Sequence, residues 1–323
     1  MPAHENAEPR DPAPDAPATL PPGPIAGSTP GPLPGPLVGV DWLAGRLGAA
    51  GLVVFDASVG AHRGADRRIP GARPFDLDGV LSDHDAPAPH AMPGAAEFAG
   101  AMRGLGLDDT DTVVVYDGAG VYSSARAWWM LRAMGFDRVA VLDGGLPAWL
   151  AAGREAEAHG PAYEGPRGSF TARPRAGLLV DSAAVVAALA DPAAAVLDAR
   201  TRERFAGTAP EPRPGLRGGH MPGAVNLPFG ELQGDGGLMR PPAELRAAFE
   251  PLVGGVGERD RLLFSCGSGV TACVLALGAT LAGYGPGHED GHGHGRGRAH
   301  LAVYDGSWSE WGMPSDLPVA TGG

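Results

Sequence analysis

The chain has 323 residues, a length typical of two domains, and 44% of them are hydrophobic. The formal net charge is −12, and the sequence contains no lysine, so all 25 strongly basic side chains are arginine. An acidic, lysine-free surface argues against nucleic acid as a partner. No apolar stretch is long enough to span a bilayer, and two cysteines are too few for a disulfide framework. These features predict a cytoplasmic protein with no membrane partner.

The first 36 residues are rich in proline and alanine and poor in large apolar side chains. Such a segment cannot bury enough surface to offset the entropy lost on ordering, so residues 1–36 are predicted to be a disordered tail. The beginning of the chain is acidic and lacks an apolar run, so it does not resemble a secretory signal.

From residue 37 onward the chain repeats itself, which indicates duplicated domains. Segments of the first half match segments of the second half in the same order: 40–43 with 180–183, 52–57 with 195–199, 69–72 with 221–224, 113–118 with 262–267, and 141–149 with 303–311. Short β-branched runs alternate with helical stretches in both halves, a pattern typical of a mostly parallel α/β sheet flanked by helices. We predict domains over 37–153 and 178–318, joined by a Gly- and Pro-rich linker over 154–177.

One glycine-rich loop carries a candidate nucleophile. Residues 262–265 are predicted to form a buried strand and residues 271–281 an apolar helix, with Cys266 opening the loop between them. The backbone N–H groups of such a loop and the helix dipole stabilise an anion, so the pKa of a thiol there should fall. A persulfide anion would gain the same stabilisation. Most lone cysteines are inert core residues, and Cys273, inside the apolar helix, is interpreted in that way.

Four segments resemble motifs of the rhodanese superfamily, and specifically of its tandem-domain 3-mercaptopyruvate sulfurtransferases. They are the active-site loop at 266–273, the N-terminal motif at 219–224, the C-terminal motif at 302–311 and the substrate-arginine region at 198–215. The resemblance implies two tandem rhodanese-like domains, of which the second is catalytic. It also implies a Cys266 persulfide formed from a small-molecule donor, without metal or organic cofactor. The acceptor would be a thiol, either a thioredoxin-like protein or a low-molecular-weight thiol.

The residues that follow the cysteine discriminate between sulfur donors in this family. Thiosulfate sulfurtransferases typically carry Arg-Lys there, whereas this sequence has Gly267 and Ser268. An uncharged loop suits 3-mercaptopyruvate, whose carboxylate and keto oxygen would be held by Arg204 and Arg213, since a guanidinium can bind a carboxylate through two hydrogen bonds. The resemblance assigns a substrate-binding role to four loop residues as well: Gly267, Gly269, Val270 and Thr271. Thiosulfate stays open as the donor, and an ion pair at the surface stays open as the role of the two arginines.

In the family the loop serine, here Ser268, has been assigned to a Ser-His-Asp proton relay. By motif the histidine would lie at position 68, which is an arginine. We therefore expect the relay histidine to be missing, with His62 as a weak substitute and Arg68 paired with Asp66. His220, in the corresponding place of the second domain, is expected to be structural.

The first domain has Asp117 where the second has Cys266. A carboxylate cannot carry sulfane sulfur, so Asp117 is expected to accept hydrogen bonds from free backbone N–H groups, as a helix cap does. We predict a catalytically silent first domain that closes one wall of the cleft between the domains. A phosphatase, which shares this fold, would need an arginine at position 272, where the chain has alanine. A non-catalytic sulfur-carrier module is a third alternative.

Two further sets of residues are given structural interpretations. Asp198 and Arg200 are expected to pair with each other, and Asp305 and Trp308 to pack the C-terminal turn. A late segment, residues 284–300, contains several histidines that could bind a metal: His288, His292, His294 and His300. We favour a flexible insertion there instead.

Overall fold

The structure is a computed structural model, and it describes residues 29–158, 163–285 and 299–322. Within these ranges the strands are β1 Leu37–Val38, β2 Leu52–Asp56, β3 Arg67–Arg68, β4 Arg73–Pro74, β5 Thr112–Tyr116, β6 Val139–Leu142, β7 Glu157–Ala158, β8 Leu179–Val180, β9 Ala194–Asp198, β10 Val225–Asn226, β11 Arg261–Ser265 and β12 His300–Tyr304. The α-helices are α1 Val40–Ala44, α2 Ala95–Gly104, α3 Ser124–Ala133, α4 Gly145–Ala151, α5 Ser182–Leu189, α6 Arg202–Ala206, α7 Pro242–Val253, α8 Ala272–Leu281 and α9 Ser307–Trp311.

Two five-stranded sheets share one topology. The first has the order β1-β6-β5-β2-β4, and the second, read in the same direction, has the order β8-β12-β11-β9-β10. Every pairing within these two sheets is parallel. The central strands β5 and β11 are buried because helices cover both faces, so their apolar runs show no alternation. The structure therefore agrees with the internal repeat and with the α/β fold read from the sequence.

The segment predicted as a linker packs onto the first domain instead of bridging freely. Glu157–Ala158 forms the antiparallel ribbon β7 with β3. Further on, the ring of Phe170 is buried and lies 6.0 Å from the rings of both Phe98 and Phe136. Gly and Pro set this segment apart in composition, whereas its few apolar residues make it part of the first domain's core. The boundaries at 153 and 178 stay a proposal.

Only part of the predicted tail lies within the described residues. Residues 1–28 lie outside them, whereas residues 29–36 pack on the first domain. The Pro30 carbonyl accepts a hydrogen bond from Arg46, and the Pro36 carbonyl accepts one from the Val141 N–H. The last residues of the predicted tail are thus tied to the sheet edge beside β1.

The histidine-rich segment is described only at its two ends. The side chains of His288, His292 and His294 lie outside the described residues. His300 opens β12, and its Nε2 lies 2.9 Å from the Gly177 carbonyl. Within the described ranges no group of three or more His, Cys, Asp or Glu side chains could hold a metal ion.

The two domains meet through the helices that follow their equivalent loops. Helix α3 follows the Asp117 loop, helix α8 follows the Cys266 loop, and the two helices pack against each other. Both helices are almost fully buried: α8 is apolar nearly all round, whereas α3 also buries the guanidinium of Arg126. Trp129 of α3 donates a hydrogen bond from Nε1 to the Leu178 carbonyl, 2.9 Å away. This packing brings the two loops close to the same cleft.

Candidate active site

Cys266 lies at the carboxyl end of β11, where the chain turns through a loop into α8. It is almost fully buried, and its N–H donates to Ser307 Oγ over 3.1 Å. The first turn of α9 fastens the loop at two further points. The Trp308 N–H donates to the Cys266 carbonyl at 2.9 Å, and Ser309 Oγ donates to the Gly267 carbonyl at 2.6 Å. The C-terminal motif read from the sequence is thus the clamp that holds the cysteine loop.

The backbone of this loop presents unpaired N–H groups. Among the described residues, no oxygen accepts a hydrogen bond from the amides of residues 267–271. Buried amides without partners are costly, so a loop of this kind is prepared for an anion. The prediction that these amides hold a persulfide is compatible with this geometry.

The equivalent loop of the first domain shows what such a cradle holds when it is filled. One carboxylate oxygen of Asp117 accepts from the Ala119 N–H at 2.8 Å. The other accepts from the N–H groups of Tyr122 and Ser124, each at 2.8 Å, and from Ser124 Oγ at 2.6 Å. The cap predicted for Asp117 is therefore present. The first domain satisfies internally the amides that the second domain leaves open.

Gly269 is required by the shape of the cysteine loop. Its φ is +74°, and a Cβ there would lie 2.8 Å from the Asp305 carbonyl oxygen and 3.2 Å from Arg126 Nη1. Only glycine tolerates both the left-handed conformation and this approach of backbone to backbone. Cys273 lies one helical turn on, fully buried, with its Sγ donating to the Gly269 carbonyl at 3.2 Å. Burial raises the pKa of Cys273 to about 12, so its thiol stays protonated and belongs to the core, as predicted.

Both predicted arginines converge on Gly267. A Cβ at Gly267 would lie 3.2 Å from Arg204 Nη2 and 3.9 Å from Arg213 Nη1. Arg213 Nη1 also donates to Ser309 Oγ at 3.2 Å. Within the described ranges, Arg213 has no carboxylate within ion-pair distance. Two guanidinium groups thus lie beside the nucleophile position, and one of them is not neutralised.

Arg204 is held in place by a chain of buried charges. It donates from Nη2 to Glu211 at 2.6 Å, and Glu211 accepts a second hydrogen bond from Arg200 at 2.7 Å. Arg200 is fully buried and pairs with Asp198 at 2.7 Å, which confirms the expected Asp198–Arg200 pair. Its guanidinium also lies 4.1 Å from the ring of Trp308. The ion pair of Arg204 with Glu211 is therefore largely buried and is not a solvent-exposed pair at the surface.

A serine–histidine–aspartate chain is present, and the expectation of a missing histidine is wrong. His90 Nδ1 lies 3.0 Å from Ser268 Oγ, and His90 Nε2 lies 3.0 Å from Asp78 Oδ1. Burial is the main cause that lowers the pKa of His90, and the charges of Arg126 and Arg213 add to it against the opposing effect of Asp78. Burial acts to raise the pKa of Asp78, but hydrogen bonds from the Gly60 N–H and from His90 lower it overall. A neutral His90 that donates from Nε2 to ionised Asp78 can accept the Ser268 proton at Nδ1.

His90 lies in an irregular loop rather than in a motif, so the motifs of the sequence do not reveal it. Arg68 does not pair with Asp66: its Nε donates to Glu157 at 2.7 Å. His62 lies against Gly118 of the first domain's loop and not at the serine. No local pattern marks His90, which lies 178 residues from Ser268. His220 is structural as expected, since it stacks on Phe205 with ring centroids 3.9 Å apart.

Tyr122, at the end of the first domain's loop, is a further side chain at the site that sequence reasoning did not single out. Its ring packs edge-on against Phe229, with ring centroids 5.5 Å apart. Burial and the nearby Cys266 raise the pKa of Tyr122, whereas Arg204 and Arg213 oppose the rise. These effects indicate that Tyr122 lies near Cys266, Arg204 and Arg213. With His90, it shows that the first domain contributes to the cleft wall.

The fold and the site together define a class: a duplicated parallel α/β domain in which one strand–loop–helix carries a cysteine and its counterpart an aspartate. The model of the Rhodanese-like domain family matches residues 39–152 and 182–313. The chain belongs to this family, with one copy in each half. The resemblance to the rhodanese superfamily and the fold class predicted from the sequence are thereby confirmed.

Several characterised proteins are similar over most of the chain. A 3-mercaptopyruvate sulfurtransferase of Escherichia coli K12 is 39% identical over 292 residues, which cover 87% of this chain and 96% of that protein. Thiosulfate/3-mercaptopyruvate sulfurtransferase 1, mitochondrial, of Arabidopsis thaliana is 37% identical over 313 residues, 88% of this chain and 78% of that one. The crystal structure of SseA, a 3-mercaptopyruvate sulfotransferase from Escherichia coli, superposes with a TM-score of 0.71 at 35% identity, covering 85% of this chain and 99% of that one.

Proposed function

We propose that the protein transfers sulfane sulfur from 3-mercaptopyruvate to a thiol or cyanide acceptor through a persulfide on Cys266, and releases pyruvate. The relatives' names support the substrate class and confirm the expectation of a sulfurtransferase. The observation that carries the proposal is the convergence of Arg204 and Arg213 on Gly267, beside the buried cysteine. This arrangement matches a donor that carries its carboxylate a few bonds away from its sulfur.

In the first half-reaction the Cys266 thiolate attacks the sulfur of 3-mercaptopyruvate. A new S–S bond forms, the C–S bond breaks, and its electron pair passes to the carbon as the enolate of pyruvate. Arg204 and Arg213 bind the carboxylate and the keto oxygen, and they stabilise the negative charge that grows on that oxygen. The unpaired amides of residues 267–271 bind the terminal sulfur of the persulfide anion.

One proton must move from the donor's sulfur to the enolate carbon before pyruvate is complete. Ser268 lies in the cysteine loop and donates to His90, which is neutral and backed by Asp78. We propose that the Ser268–His90–Asp78 relay transfers that proton. In the second half-reaction an acceptor thiolate attacks the outer sulfur, and the Cys266 thiolate leaves. The cycle requires no metal, cofactor or external oxidant.

The neutral loop favours 3-mercaptopyruvate over thiosulfate. Two charged side chains in place of Gly267 and Ser268 would have to share the space that Arg204 and Arg213 occupy, since a Cβ at Gly267 already lies 3.2 Å from a guanidinium nitrogen. A thiosulfate sulfurtransferase with the same persulfide chemistry is the second candidate. The name of the Arabidopsis relative, which includes both donors, supports keeping it.

The decisive experiment is intact-mass analysis after incubation with 3-mercaptopyruvate. The wild type is expected to gain the mass of one sulfur atom, Cys266→Ser to gain none, and the control Cys273→Ser to gain it as the wild type does. A wild type that never gains sulfur would refute the proposal. Comparing kcat/KM for the two donors then decides the substrate, and a clear preference for thiosulfate would establish the second candidate. Sulfur accepted only from a partner protein would instead support a carrier module.

The cellular compartment is part of the proposal. No helix in the described part of the chain is both long and apolar enough to cross a bilayer. Both cysteines are free, which fits the reducing conditions of the cytoplasm. We infer a cytoplasmic location and, as acceptor, a low-molecular-weight thiol or a thioredoxin-like protein. Imaging of a fluorescent fusion in the source cell would test the location.

A further inference from the structure

Two residues other than glycine adopt a positive φ among the described residues, and both contact the cysteine loop. They are His90, with φ of 61°, and Ser307, with φ of 47°. Ser307 accepts the Cys266 N–H, and His90 contacts Ser268. Left-handed backbone at a non-glycine residue persists only when the surrounding contacts impose it. The contacts that impose it on His90 therefore bear on the relay.

Two side chains hold the backbone directly after His90, on either side of Ala91. Arg126 Nη2 donates to the His90 carbonyl at 2.7 Å and to Asp305 Oδ1 at 2.6 Å. The other carboxylate oxygen of Asp305 accepts from the Met92 N–H at 2.8 Å. The loop around His90 is thus fixed by one ion pair, whose members are 179 residues apart and come from different domains.

Arg126 occupies an unusual position for a guanidinium. It is fully buried, on helix α3 behind the silent Asp117 loop. Its Nη1 lies 3.2 Å from where a Cβ of Gly269 would be, and neither Nη1 nor Nε has an oxygen acceptor among the described residues, although the Cys273 side chain is close enough to interact with Arg126. Burying a charge with unused donors is costly. An apolar side chain at this core position would be more favourable for stability, so the buried charge points to a functional role.

We propose that Arg126, through its ion pair with Asp305, is a positioning residue of the first domain that holds His90 in the backbone conformation from which it reaches Ser268. This inference rests on the proposed function, because it concerns the relay of that reaction. It gives the silent domain an active part: it supplies both the histidine and the arginine that holds it. It also explains why Asp305, expected only to pack the C-terminal turn, points across the domain interface.

The proposal predicts a defect in proton transfer rather than in folding. Arg126→Met removes the charge at similar length and should lower kcat/KM for 3-mercaptopyruvate by roughly tenfold or more, as loss of a general acid–base group does. Arg126→Lys should retain a larger part of the activity, because both hydrogen bonds come from one nitrogen and an ammonium can supply both. Asp305→Asn should be defective too, and it offers a milder variant if Arg126→Met does not fold.

The control is Arg132→Met, which removes a guanidinium from the same helix. Arg132 packs over Trp128, away from the cysteine loop. The substitution Arg132→Met should lower thermal stability without changing kcat/KM. If Arg126→Met and Asp305→Asn behave like this control, the proposal is wrong.

A double-mutant cycle separates positioning from a general structural effect. In a His90→Gln background, Arg126→Met should cause little additional loss, since the group that it positions is already gone. Full additivity would overturn the proposal. The pH profile gives a second readout, because the charged groups that face His90 are Asp78, Arg126 and Arg213. Removing the Arg126 charge should move the acid limb of kcat/KM to higher pH.

Sulfur loading in the intact-mass experiment distinguishes the two levels of failure. A wild type that gains no sulfur would refute the proposed function. A wild type that gains sulfur, together with Arg126 and Asp305 variants that keep the wild-type rate and pH profile, would refute only the positioning role.

Discussion

Replacing Arg213 by alanine tests the substrate assignment with little disturbance of the fold. Arg213 makes one hydrogen bond to a neutral partner, Ser309 Oγ at 3.2 Å, and no ion pair within the described residues. Its loss therefore leaves no buried carboxylate unpaired. Loss of Arg204, by contrast, would remove one of the ion-pair partners of the buried Glu211. The effect of Arg213→Ala should thus fall on the substrate.

The expected magnitude follows from the hydrogen bonds that the guanidinium would make to a carboxylate or enolate. A hydrogen bond to a charged group contributes about 1.5–3 kcal/mol. Since each ~1.4 kcal/mol is a factor of ten, kcat/KM for 3-mercaptopyruvate should fall by about 10- to 150-fold. The midpoint of thermal unfolding should change little. Arg213→Lys keeps the charge but loses the planar fork, so an intermediate rate is expected.

Initial rates of pyruvate formation over a range of 3-mercaptopyruvate concentrations provide the measurement. The matched control is Arg202→Ala, in the same helix as Arg204. Arg202 pairs with Glu231 at the surface and its side chain is 62% exposed, so its removal should leave kcat/KM within twofold of the wild type. If Arg213→Ala also stays within about twofold, the guanidinium does not bind the substrate and the reasoning from geometry fails.

Three further predictions concern the rest of the site. Because the pKa of His90 is lowered from 6.5, His90 stays neutral below that pH, so the acid limb of kcat/KM should lie below pH 6.5 and should disappear in His90→Gln. Asp117→Ala leaves three loop amides and a hydroxyl without their acceptor, so the free energy of unfolding measured in urea should fall by about 2–3 kcal/mol. Cys266 should still gain sulfur in this variant. An Asp117→Ala variant that cannot load sulfur would contradict a silent role. In Gly269→Ala the new Cβ would meet a backbone oxygen at 2.8 Å in a left-handed conformation, so the free energy of unfolding should fall by about 1–3 kcal/mol and most of the sulfur loading should be lost. The control Gly230→Ala, which has open space around the new Cβ, should keep both.

Much of the architecture was predictable because it depends on local chemistry. Apolar runs that alternate with helical stretches indicate a parallel sheet wherever they occur, and the repeat of matched segments shows that the sheet occurs twice. Glycine next to Cys266, at the end of such a run, indicates a loop whose amides can face an anion. Asp117 in the equivalent place must use those amides itself, and the structure shows that it does.

The relay shows where the same approach fails. A position in a motif led to Arg68 and to the conclusion that the histidine was absent. The histidine instead comes from an irregular loop, where neither periodicity nor spacing marks His90. The linker predicted over 154–177 stays a prediction, but its composition gave no sign that Phe170 packs into the first domain's core.

The sequence by itself determined the two α/β domains, the cysteine loop and the aspartate of the equivalent loop, because each of these is encoded within a few consecutive residues. Only the tertiary structure decided which groups surround that cysteine. His90 meets Ser268, and Arg126 meets Asp305, across 178 and 179 residues and across the domain interface. Contacts between residues so far apart in sequence arise from the packing of α3 against α8, and no local sequence pattern predicts them.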